Sequence, residues 1–261
     1  MQHIDPQQLT EEMAARIAEV AHGVKMAIEG PLMLRVVGGP QDGGQINLDR
    51  IADYCAVNLA EDSEKAKAAF VESAAEWATS DYGVTRDSLR VVVRAADYAE
   101  AVQEVMVEGG NVPVLRLIGE GLVALLAADQ PKAVSIVALA DLEPLGLAES
   151  EAWEIGRRNV LSMLPELPEK AELERDWIEF GGQDYCASLL IAEGWKNLAE
   201  QTNGKLFITV AADNLVVAGL VDEGDVLRKL RLAVEEDFEC AERGISPNVF
   251  RWSDKGWTAA S

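Results

Sequence analysis

Val114-Leu115-Arg116-Leu117-Ile118-Gly119-Glu120-Gly121-Leu122-Val123-Ala124-Leu125-Leu126-Ala127-Ala128-Asp129-Gln130-Pro131-Lys132-Ala133-Val134-Ser135-Ile136-Val137-Ala138-Leu139-Ala140 is the stretch whose reading decides the fold. It holds three aliphatic runs, 114–118, 122–127 and 133–140, separated by Gly119-Glu120-Gly121 and by Asp129-Gln130-Pro131-Lys132. Connections so short and so rich in Gly, Asp and Pro are turns. Three strands joined by tight turns predict an antiparallel meander.

Upstream, Leu89-Arg90-Val91-Val92-Val93-Arg94 reads as a strand, because three adjacent valines favour extended backbone. A helix is expected from Ala96 to Val107, ended by Gly109-Gly110. Nearer the N-terminus, Thr10 is the expected cap of a helix in which Met13, Ile17, Val20, Val24 and Ile28 recur at helical spacing, with Gly30-Pro31 as its stop. Leu32 to Val37 reads as a strand. Two more helices follow, around Leu48 to Val57 and along the stripe Ala66, Phe70, Ala74 and Trp77.

Downstream, a helix over 151–164 presents Trp153, Val160 and Leu164 on one side and stops at Pro165. Pro165, Pro168 and the charges from Glu166 onward mark a linker. Asp176 to Phe180 and Asp184 to Ile191 read as strands, and Ala192 to Gln201 as a helix. Lys205 to Ala211 and Asn214 to Leu220 read as a hairpin. The last long helix is expected to be capped by Asp222, with Asp225 at its third position and Leu227, Leu230, Val234, Phe238 and Ala241 inward.

The expected fold class is therefore α+β: antiparallel sheet units of strand, strand and helix, preceded by a mainly helical N-terminal portion. The divisions expected are 1–110, helical with one or two strands; 111–164, meander plus helix; 165–175, linker; and 176–261, sheet, long helix and tail. Residues 122–164 and 206–241 share the order strand, turn, strand, helix, and each holds Ala-Ala-Asp, at 127–129 and 211–213. That pattern raises an internal duplication.

Charge bounds the partners. The chain has 45 acidic and 23 basic residues, a formal charge of −22, whose field repels phosphate backbones and anionic lipids. Nucleic acid and membrane are not expected partners; a protein partner, basic in character, is. No apolar stretch is long enough to span a bilayer and the first residues lack the pattern of a signal peptide, so the expected location is cytoplasmic.

Chemically matched residues are scarce. Cys55, Cys186 and Cys240 show no CxxC spacing, which argues against a disulfide framework or a zinc module, and buried reduced thiols are expected. His3 and His22 are isolated. Gly38-Gly39-Pro40-Gln41-Asp42-Gly43-Gly44 matches neither a P-loop nor a dinucleotide-binding loop and reads as a turn. There is no GxSxG, and Cys186 lies in an apolar stretch suited to packing. Asp184 and Glu193 are ordinary carboxylates. No catalytic, cofactor or metal residue is assigned, and Arg157 and Arg158 are expected to pair with carboxylates of the fold.

Phe250, Arg251, Trp252 and Trp257 stand out at the C-terminus. Two readings stay open: the aromatics anchor the tail to its own core, or they form a protein-binding patch. The leading functional expectation is a non-enzymatic, acidic protein-binding or adaptor module. Alternatives are a carboxylate-based metal-dependent hydrolase or small-ligand enzyme, and a structural homo-oligomer.

Three stretches resemble the YtpQ-like proteins, a bacterial family also called DUF1444: Ile46-Asn47-Leu48-Asp49-Arg50-Ile51-Ala52-Asp53-Tyr54; Gly121 to Leu125 through Leu142-Glu143-Pro144-Leu145-Gly146-Leu147 and the 151–159 helix; and Tyr185-Cys186-Ala187-Ser188-Leu189-Leu190 with the hairpin that follows. The resemblance implies a cytosolic α/β protein of bacterial type. It carries no established catalytic residues to transfer.

Overall fold

The structure, a computed structural model, describes residues 4–80, 83–131, 133–241 and 243–260. His3 and Lys132 lie outside the described residues. The fold is α+β, as the alternation of strand and helix signals predicts. The chain divides into two compact units, 1–83 with 130–133, and 84–129 with 134–261. The sequence placed its divisions elsewhere, at 110 and at 165–175.

In the first unit, helix α1 (Pro6–Val20) starts earlier than expected, because Asp5 is its cap: Asp5 Oδ1 accepts from the Gln7 and Gln8 amides, and Pro6 supplies a preset first helical residue. Thr10 lies inside the helix. Its hydroxyl donates to the Pro6 carbonyl at 2.7 Å and accepts from the Leu32 amide at 2.8 Å. Gly23, at φ +86°, turns the chain out of α1, so Val24 and Ile28 are not on the helix. Instead β1 (Lys25–Gly30) pairs antiparallel with β2 (Met33–Val37), which pairs with β3 (Gln45–Asn47). Helices α2 (Asp49–Val57) and α3 (Ala60–Thr79) complete the unit. Met13, Ile17, Leu34, Val36, Leu48, Cys55 and Ala78 form its core. The buried face of α3 is turned about one residue from the expected stripe, to Val71, Ala74, Ala75 and Ala78, with Phe70 and Trp77 half-buried beside it. Across α1 and α3, Glu12, Arg16, Glu64 and Lys67 join in one network of ion pairs.

The second unit follows in chain order as β4 (Leu89–Ala95), α4 (Ala96–Glu108), β5 (Leu115–Gly119), β6 (Leu122–Gln130), β7 (Ala133–Ile136), α5 (Leu139–Leu142), α6 (Glu149–Leu161), α7 (Lys170–Leu173) and β8 (Ile178–Gly181). It continues with a 3₁₀ segment (Cys186–Ile191), α8 (Gly194–Gln201), β9 (Leu206–Ala212), β10 (Leu215–Leu220), α9 (Asp225–Cys240), β11 (Val249–Ser253) and β12 (Gly256–Ala259). The sheet order is β4-β6-β5-β12-β11-β9-β10-β8, with β7 also pairing β6.

Four expectations change here. The meander is not a simple one: β4 holds one edge of β6, and β5 and β7 share the other, where Leu126 donates to the Val114 carbonyl and accepts from the Val137 amide. Of the expected strand 184–191, residues 184 and 185 turn and Cys186–Ile191 is 3₁₀, because β8 and β9 already take both edges of β10, leaving the Ala187 amide to find the Asp213 carbonyl. Gly224, not Asp222, precedes the first residue of α9. Residues 165–175 are no free linker: α7 carries the buried Leu173, and Leu167 packs on the main core.

β4 and β5 both run antiparallel to β6, so β4-α4-β5 is a parallel crossover with β6 inserted between its strands; β8 and β9 flank β10 in the same way. The pattern β-α-β-β-α thus occurs twice, over 89–161 and 178–240. It equates β6 with β10 and β5 with β9. The two Ala-Ala-Asp runs end β6 and β9, which are not equivalent strands, so the repeat exists in topology but not in the register that the tripeptide indicated.

One sheet face, with Val91, Leu126, Ile208 and Phe250, packs under α6, the 3₁₀ segment and α8; α4 and α9 cover the other face over Val92 and Leu125, and over Phe207 and Val249. The β11–β12 hairpin joins the two repeats. Its tight point is Gly119 against Trp257, where an added Cβ would come within 2.6 Å of the Trp257 Cβ. Gly119→Ala is expected to lower the unfolding free energy by about 2 kcal/mol through overpacking, whereas Gly83→Ala, with open space at its Cβ, changes it by less than about 1 kcal/mol. Urea denaturation of the two variants measures the difference.

Candidate functional site

A cleft of about 520 Å³ opens in the second unit between the segment 170–177, the end of α8 with the 201–205 turn, and the end of β10. Its size is that of ordinary small-ligand sites. Trp177, 41% exposed, is its aromatic wall. The indole stands edge-on to Phe207 at 4.9 Å and lies over Gly219, where a Cβ would come within 2.8 Å of Trp177 Cγ. Only glycine leaves room for the ring in that position.

Three cations, Lys170, Arg175 and Lys205, and three carboxylates, Glu174, Asp176 and Asp222, line the cleft. Lys205 pairs with Asp222 at 2.7 Å and Lys170 with Glu174 at 3.4 Å. Arg175 Nε donates to the Ala171 carbonyl, and Asp176 accepts from the Trp177 amide. The turn at the rim holds Asn203 at φ +52° and Gly204 at φ +73°, a conformation costly for any side chain but tolerated by asparagine.

Arg251 is the one member of the sequence-predicted set that bears on this cleft. From β11 it donates to the Gly204 and Val221 carbonyls and pairs with Glu223 at 3.2 Å, tying together the turn and the segment after β10 that form the cleft wall. The other members correct the protein-binding reading of Phe250, Arg251, Trp252 and Trp257. Phe250 and Trp257 are fully buried, and Trp252 meets Trp257 edge-on at 4.9 Å. Trp257 Nε1 donates to the Leu190 carbonyl, and neighbouring Trp195 Nε1 to that of Leu189. Residues 250 and 252 share a face by strand alternation, and 257 faces 252 across the hairpin, so all three rings point into the core. The packing matches the tail-anchoring reading.

A second polar group surrounds β4. Arg90 reaches Asp129 at 3.7 Å, and Asp213 lies 4.0 Å from Arg94 and 3.3 Å from Arg243. Both aspartates of the Ala-Ala-Asp runs thus face arginines. Burial pushes the Arg94 guanidinium below its ordinary value, with Asp213 acting against that shift. Burial, then a hydrogen bond with Asp129, raises the Tyr185 phenol, and Tyr185 adopts φ +67°. Burial likewise raises the Cys186 thiol, the opposite of what a nucleophile requires.

The remaining sequence candidates are dispersed. His22, Asp184 and Glu193 are exposed, and Arg157 pairs with Glu154 and Glu193. Cys55 and Cys186 are buried, but Cys240 is exposed. Among the described residues no three His, Cys, Asp or Glu side chains converge as a metal site, and no helix is long and apolar enough to cross a membrane. Trp177, Arg175 and Asn203 were missed, because Arg175 fell in the linker, Trp177 in an expected strand and Asn203 in a connection; an isolated tryptophan just after a charged run was the available signal.

In the first unit, Tyr54 (43% exposed), Val57 (71%) and Leu59 (76%) follow one another at the α2–α3 corner, beside exposed Asp53, Glu61 and Asp62. These are exposed apolar side chains near carboxylates in the chain, unlike the buried Phe250 and Trp257.

Arg251→Met is expected to cost about 1–3 kcal/mol, since the Val221 carbonyl loses a charged donor. Hydrogen exchange should show faster amide exchange at Lys205 and Val221 than in the parent protein. Comparison of the chain with family models, with curated proteins and with solved structures gave no match.

Proposed function

We propose that this chain is a non-enzymatic, acidic protein-binding module that recruits a basic partner in the cytoplasm. The observation that carries the reading is the corner Tyr54, Val57 and Leu59. These are large apolar side chains left in water and flanked by carboxylates, in a chain of net charge −22. Exposed apolar groups supply contact area, and the surrounding field accelerates encounter with a cation-rich surface and disfavours anionic competitors. The likeness to the YtpQ-like proteins is part of the same proposal. Its three stretches fall at the entry to α2, on β6 through α6, and on the 3₁₀ segment through β10.

A second reading is favoured by one observation, the cleft beside Trp177: binding of a small ligand in the second unit. The two readings concern different units and do not compete.

Affinity capture from a bacterial lysate at low and high salt, repeated with Val57→Asp/Leu59→Asp, tests the first. The expected result is a basic protein whose retention falls at least about tenfold on raising salt from 50 to 500 mM, roughly, and by a similar factor in the double variant. Retention that ignores both salt and the substitutions, or no basic protein at all, sinks the proposal.

A further inference from the structure

The cleft beside Trp177 differs from the rest of the molecule in charge. Its cations and carboxylates balance, three against three, whereas the chain as a whole carries −22. A charged ligand meets as many like as opposite charges among the lining residues, and an apolar one would strip water from charged and amide groups without replacing it. What the cleft offers is one indole held in place and planar polar groups around it. The ring is seated by Gly219 and Phe207. Arg175, with its Nε engaged by Ala171, presents the remainder of a flat donor fork; Gln201 and Asn203 add amides that both donate and accept. Lys205 and Asp222, exposed and paired at 2.7 Å, add a donor and an acceptor.

We infer that this cleft binds a neutral sugar, whose C–H face lies on Trp177 and whose adjacent hydroxyls bond to Arg175, Gln201 and Asn203. A sugar ring is flat and apolar on one face and ringed by hydroxyls that both donate and accept. It therefore matches an aromatic wall edged by amides and a guanidinium, and it crosses the acidic field of the molecule at no electrostatic cost. The inference rests on the small-ligand reading of the cleft and names the class of ligand. Arg251, which holds the Gly204 and Val221 carbonyls, is a positioning residue for the site.

Saturation-transfer NMR on the full chain with glucose, ribose and maltose, and in parallel with glucose 6-phosphate, tests it. Saturation of at least one neutral sugar is expected, with a Kd of the order of 1 mM, the affinity that a ligand of about a dozen heavy atoms ordinarily reaches. Trp177→Ala should abolish the signal and also lower the unfolding midpoint, because the ring leaves Phe207 and Gly219 uncovered; Trp177→Phe should retain part of the signal, and Arg175→Met, at an exposed position, should weaken it at least about fivefold with an unchanged unfolding midpoint. Tighter binding of glucose 6-phosphate than of glucose overturns the neutral-sugar assignment and leaves the small-ligand reading standing. No saturation from any of the four probes overturns the neutral-sugar assignment. Sugar saturation that persists in Trp177→Ala places binding elsewhere and overturns the assignment.

Discussion

The close contact between Gly119 and Trp257 is the constraint on which the second unit depends. β12 joins the sheet beside β5 through this one aligned pair, extended by the bond from the Glu120 amide to the Trp257 carbonyl. On its other side β12 pairs with β11, and β11 with β9. The last strands of the chain therefore close the gap between two repeats that would otherwise each present an unpaired edge. Trp257 completes the closure by filling the core under the hairpin, with its indole N–H satisfied by Leu190 and its ring against Trp195 and Trp252. A large aromatic with a polar edge suits such a place, because it buries area without leaving an unpaired donor.

The same hairpin bears on the cleft. Arg251 leaves the opposite face of β11 from Phe250 and Trp252 and gathers backbone carbonyls from 204 and 221, so the cleft wall is anchored to a central strand of the sheet. Glycine serves a parallel purpose at 219, where the missing side chain lets an indole lie against the strand. Elsewhere the excess of carboxylates stays at the surface, where solvent screens mutual repulsion. Arginines drawn inward meet acceptors there, Asp213 for Arg94 and the Gly204 and Val221 carbonyls for Arg251.

Much of the fold was legible in the sequence. The valine run at 91–93, the hairpin across Ala212-Asp213 and the helix ending near Pro165 all appear where their local patterns place them. Local patterns failed where two signals competed. Val24 and Ile28 continued the period of α1, yet Gly23 and the pairing with β2 made them strand. The run 184–191 looked extended, but both edges of β10 were already taken by β8 and β9, and the chain there turns into a 3₁₀ segment. Of the site, the sequence brought forward Arg251 and passed over Trp177, because the cleft is assembled from three segments that no spacing relates.

Composition and periodicity by themselves determined the α+β class, most element positions, the net charge and the alternation that sets Phe250 and Trp252 on one face. These are properties of neighbouring residues. Which way that face points, which strands adjoin, and where a concave surface forms were decided only in the tertiary structure. Each depends on segments distant in the chain meeting at one edge or around one volume, as Gly119 and Trp257 do.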